Sequence, residues 1–111
     1  VETMFAHKMV ALTDRYKKHR MIAGRDLYDI HHFFLAGYHY AGKIITKRTG
    51  KTVLKYLEEL TQFIKKQMTD TVISEDLNFL LPQEKFVRIK KILKEESLRF
   101  IQDEIKRLTP G

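Results

Sequence analysis

At 111 residues, with 43% apolar and 11% aromatic side chains, the chain carries enough material for one hydrophobic core and too much for a disordered segment. Its 21 Lys and Arg outnumber 14 Asp and Glu, and the net charge of +7 suits a phosphate-bearing partner, nucleotide or nucleic acid, as well as it suits a plain lysine-rich surface. Having no cysteine, the chain forms no disulfide and does no thiolate chemistry, and it contains neither a signal peptide nor an apolar run near the ~18 residues of a membrane span, so a cytoplasmic location is expected.

The first helix is expected from about Glu2 to Lys18, where Phe5, Met9, Leu12 and Tyr16 fall at spacings of four, three and four. It begins in helical rhythm at Val1 with no initiator methionine, as a piece cut from a longer protein would. "KHRMIAG" interrupts it, with Gly24 as the breaker. A second helix starts near Arg25, turns Leu27, Ile30 and Phe34 inward, and runs out between Tyr38 and Gly42. "GKIITKRTGKT" reads as either a short helix or a loop, closed by Gly50. The next helix spans Thr52 to about Met68, capped by Thr52 and burying Val53 or Leu54 with Leu57, Leu60 and Ile64.

In "TDTVISEDLNFLLPQ" the spacing predicts a short helix with Ser74 as N-cap, Glu75 and Asp76 in its first turn, and Pro82 as its stop. The last helix covers roughly Gln83 to Leu108, about 39 Å long at 1.5 Å per residue. No stretch keeps the period-two alternation of a strand. The expected fold is therefore all-α: a compact bundle of about five helices, the last one long, making a single helical domain over residues 1–111.

Two helices carry a paired charge pattern. Lys8, Ala11 and Arg15 share one face of the first, at i, i+3 and i+7. On the second, Asp26 and Asp29 lie one turn apart and Arg25 reaches Asp29 at i+4. Two cations and two carboxylates beside one tight turn suit a triphosphate with its magnesium. The same four groups also suit ion pairs that staple a hairpin, Lys8 to Asp26 or Arg15 to Asp29, and Asp26 is where a helix dipole favours negative charge.

Other chemistries are absent from the sequence. His7, His19, His31, His32 and His39 include no pair at the His-x-x-x-His spacing of a helical metal site, so packing or surface roles are expected. There is no glycine-rich phosphate loop and no G-x-S-x-G elbow. "KKILK", preceded by Lys85 and Arg88, is a basic stripe without interleaved aromatics, a pattern of phosphate attraction or of a solvated helix face.

The run "AHKMVALTDRYKKHRMIAGRDLYDIHHF" resembles the motifs K-x-x-A-L-x-x-R and R-D-x-x-D-[LI] of AbiEii-type nucleotidyltransferase toxins, known from type IV toxin–antitoxin systems. The resemblance covers about thirty residues. It implies that Lys8 contacts the triphosphate and Arg15 assists it, that Arg25 belongs to the substrate-binding block, and that Asp26 or Asp29 is catalytic. In that family a strand-rich lobe supplies Gly-Ser and a D-x-D pair that holds Mg2+. Neither motif occurs in these 111 residues, so no metal ligand is expected here and the chain alone is expected to be inactive. The implied whole is a toxin that moves a nucleotide from a nucleoside triphosphate to RNA, tRNA included, or to protein, with a cognate antitoxin. The chain would be its C-terminal helical lobe, and an apolar face left bare by the missing lobe would favour self-association. The competing expectation is a non-catalytic helical module that binds nucleic acid or a protein through basic faces.

Overall fold

A computed structural model describes residues 1–110, and among them every regular element is helical. There are six helices: α1 (Glu2–His19), α2 (Gly24–Leu35), α3 (Gly42–Thr49), α4 (Val53–Gln67), α5 (Asp70–Leu77) and α6 (Gln83–Leu108). The ambiguous basic stretch is thus a true helix, α3, two turns long and ended by Gly50 at φ 72°.

Helices α1, α2, α6 and α4 follow one another around a ring, α1 and α6 each packing on both α2 and α4; α3 packs against α1 and α4, and α5 against α2 and α6. The apolar stripes explain this order. Phe5, Met9 and Leu12 of α1, Leu27 and Ile30 of α2, Leu57, Leu60 and Ile64 of α4, and Phe86, Leu93 and Ile101 of α6 are all buried. Each buried Leu, Ile or Phe contributes roughly 1.5–3 kcal/mol, so the stripes drive assembly more strongly than the helices' own propensities do. In α4 Val53 packs partly buried against the core, and Tyr56 is fully buried beside it, its hydroxyl donating to the Met9 carbonyl of α1 at 2.7 Å. At one end of the bundle Phe5 meets Phe34 edge-on at 4.8 Å, and Phe34 in turn stacks on Phe100 at 5.2 Å.

The helix ends account for the differences from the expected boundaries. Thr52 caps α4 by accepting from the Lys55 amide, as anticipated. Helix α2 stops at Leu35 because the chain turns through Gly37 at φ 81°, several residues short of the expected end. Helix α5 starts earlier than Ser74. Thr69 is its N-cap, accepting from the Val72 amide, and Ser74 lies mid-helix. Glu75 and Asp76 therefore belong to its last turn, not its first. Pro82 does not end α5, which closes at Leu77; it stands as the N-cap of α6, where its fixed φ suits a helix start. In the intervening turn Phe79 is 90% exposed.

Candidate functional site

Lys8, Arg15, Asp26 and Asp29 converge where α1 crosses α2. Lys8 Nζ lies 2.9 Å from the Asp29 carboxylate and 3.3 Å from that of Asp26. Arg15 Nε approaches the other oxygen of Asp26 at 3.4 Å. The helical register brings this about: Lys8 and Arg15 sit seven residues apart on one face of α1, and Asp26 and Asp29 three apart on one face of α2. Of the two pairings that a simple hairpin staple would use, only Lys8–Asp26 forms; Arg15 meets Asp26, not Asp29.

Burial divides the cluster. The Asp26 side chain is 2% exposed, whereas Lys8, Asp29 and Arg15 keep 29%, 33% and 50% of their surface. Asp26 Oδ2 is within ion-pair range of Arg15 but receives no hydrogen bond of acceptable geometry. A sealed carboxylate oxygen with only a Coulombic partner is held by that charge and would be costly without it. The Lys8 ammonium is raised above its ordinary range, chiefly by its hydrogen bond to Asp29; burial opposes this, and the negative charge of both aspartates adds to it. Lys8 is therefore a fixed cation at neutral pH, suited to neutralising an anion and unsuited to proton abstraction.

Arg25 does not join the cluster. It is exposed at the start of α2 and makes no ion pair among the described residues, so its expected pairing with Asp29 is absent. The histidines are scattered. His31 is buried with Nε2 2.9 Å from Glu96, and His7 Nδ1 lies 3.1 Å from Arg48. Among the described residues no three carboxylate or imidazole groups come together, and both carboxylates of the cluster already face Lys8.

One polar residue that organises the region escaped the sequence reading. The Gly24 amide, in the first turn of α2, donates to the Asp76 carboxylate at 2.6 Å. Since α2 has no side-chain cap from its own N-cap, Ala23, Asp76 serves as that cap from another helix. The acidic residue after Ser74 did carry the signal of a helix dipole partner. The helix it serves is 52 residues away in sequence, beyond any local pattern.

Compared with known proteins, the chain matches no family model, no curated protein and no solved structure.

Proposed function

We propose that the chain is the helical lobe of a nucleotidyltransferase of the AbiEii type, in which Lys8 and Arg15 meet the triphosphate of a nucleoside triphosphate and Asp26 or Asp29 is the catalytic carboxylate. The observation that supports this is the convergence of the two motifs: Lys8 touches both aspartates, and Arg15 reaches Asp26, from helices joined by a short connector. Arg25, exposed beside them, is free to reach substrate. The acceptor would be RNA, tRNA included, or protein, with a cognate antitoxin as partner and the cytoplasm as location. Among the described residues no helix is long and apolar enough to cross a membrane. Magnesium would be held by the Gly-Ser and D-x-D lobe, a part that these 111 residues do not encode. When bound it would neutralise phosphate charge, leaving to this chain the tasks of orienting the phosphates and excluding water.

The test is nucleotide transfer from a labelled triphosphate to RNA by the protein that carries both lobes. Lys8→Ala and Asp29→Asn should each abolish transfer while circular dichroism stays unchanged. Full turnover by either variant rejects the assignment.

A second reading has its own observation. The cluster is charge-compensated, two cations against two carboxylates, so the net positive charge lies elsewhere, notably on the exposed Lys85, Arg88, Lys90 and Lys91 of α6. That distribution favours a non-catalytic module gripping nucleic acid or a protein partner through basic faces. RNA retention that falls steeply between two salt concentrations, in Lys8→Ala as in the parent sequence, would favour it.

A further inference from the structure

A cleft of about 360 Å3 opens on the far side of α1 from the charged cluster, between the end of α1 and the C-terminal half of α4. That volume lies in the range of small-molecule sites. Its floor is aromatic: Tyr16 and Phe63 meet at 5.6 Å with their rings inclined by 69°, forming a two-sided corner. Both rings are partly exposed.

The rim is cationic. Lys17, Arg20 and Lys66 line it together with one carboxylate, Glu59. Lys17 is tied to Glu59 at 2.9 Å, but Arg20 and Lys66 have no ion-pair partner among the described residues. Gln62 stands at the same opening, its side-chain amide making no hydrogen bond among the described residues. An unpaired amide, an aromatic corner and two spare cations in one depression are complementary to a planar heterocycle bearing an anionic tail.

Arg20 gives an independent reason. It is the only non-glycine residue at positive φ among those described, at 54°, and it closes α1 through its amide to the Tyr16 carbonyl at 2.9 Å. Glycine or asparagine would hold that backbone with less strain, the difference from glycine being about 1–2 kcal/mol. What the arginine adds is its side chain, whose guanidinium carbon rests 5.1 Å from the centre of the Tyr16 ring at the mouth of the cleft.

We infer that the cleft between α1 and α4 is a binding site for a nucleoside phosphate, with the base against Tyr16 and Phe63, its edge toward Gln62, and the phosphate on Arg20 and Lys66. This site is separate from the Lys8–Asp26–Asp29 cluster and does not depend on the proposed transferase activity. The ligand is either a free nucleotide or one nucleotide of a single strand.

Binding is to be measured by titrating the chain with uridine and adenosine monophosphate, and with a labelled oligouridine of about a dozen nucleotides, without divalent metal. Arg20→Asn removes the cation yet keeps a residue that tolerates the backbone, and Phe63→Leu removes the ring while retaining apolar bulk. Each should weaken binding about tenfold; Lys43→Gln, an equal loss of charge on exposed α3, should not. Tighter binding of the monophosphate identifies a free ligand, and tighter binding of the oligonucleotide identifies a strand. The inference is overturned if neither probe saturates by about 1 mM, or if Arg20→Asn and Phe63→Leu bind like the parent. Binding lost in Lys8→Ala but kept in Arg20→Asn also overturns it, and would instead favour the triphosphate reading of the cluster.

Discussion

Asp76, in the last turn of α5, accepts a hydrogen bond from the Gly24 amide at the start of α2 and so caps a helix other than its own. The contact leaves little room for a larger residue. A Cβ on Gly24 would lie 3.2 Å from the Val72 carbonyl oxygen and 3.3 Å from the Ile73 Cα, so the α5 backbone would have to give by a few tenths of an ångström. Gly24→Ala should therefore destabilise the protein by roughly 1–3 kcal/mol, despite alanine's better helix propensity. Asp76→Ala should cost about 1–2 kcal/mol by removing a charged cap. Urea unfolding measures both, and a Gly24→Ala chain as stable as the parent would mean that α2 and α5 are not packed this closely.

The charged cluster makes a second prediction. Removing Lys8 leaves the sealed Asp26 with only the half-exposed Arg15, so Lys8→Met should cost roughly 1–3 kcal/mol. Adding Asp26→Asn to Lys8→Met should restore part of that loss, because the stranded charge is gone. Strict additivity in this cycle would mean the groups are not paired in solution. The pH dependence has a definite sign. Lys8 is raised above 10.5, so its contribution is complete below that value and disappears as pH rises through the higher folded value.

In acid the sensitive groups are Glu104 and Glu59. The Glu104 carboxyl is held below its ordinary 4.5, first by hydrogen bonds from Arg107, against the opposing effect of burial, and further by the Tyr40 hydroxyl at 2.7 Å. For Glu59, burial is the largest influence and acts upward, but Lys51 and Lys17 together outweigh it. Both depressed groups add stability above about pH 4.5 that is lost as pH falls through their folded values. Melting temperature should fall between about pH 5 and pH 3, and Glu104→Gln should flatten that fall. An unchanged slope in Glu104→Gln would remove this residue from the account.

Tyr56 supplies a fourth prediction. Its buried hydroxyl donates to the Met9 carbonyl and lies 2.9 Å from the Thr13 hydroxyl, bridging α4 to α1 at two points. Tyr56→Phe keeps the ring and removes both contacts, and should cost about 1–2 kcal/mol in thermal or urea unfolding. Thr13→Val in the same background should add little, since its interhelical partner is already lost.

Much of this architecture was readable from spacing. The stripe Phe5–Met9–Leu12 and the Thr52 cap are local patterns, and so is the seven-residue interval that puts Lys8 and Arg15 on one face. Their outcome in space follows from the helical period alone. What the spacing missed depended on partners distant in sequence. Ser74 and Thr69 are both good caps, and tertiary packing of Ile73 and Leu77 favours the earlier start. Asp76 has its role only because α5 docks beside the α1–α2 connector. The cleft floor joins Tyr16 to Phe63 across 47 positions, and neither carries a motif.

The packing order also sets a schedule during synthesis. Helix α6 supplies Phe86, Leu93 and Ile101 to a core whose other members lie on α1, α2 and α4, and it packs directly on α2 and α4. A nascent chain emerging from the ribosome therefore displays the oily inner faces of α2 and α4 to water until about the hundredth residue has cleared the exit tunnel, an interval in which a holdase chaperone would find its binding surface.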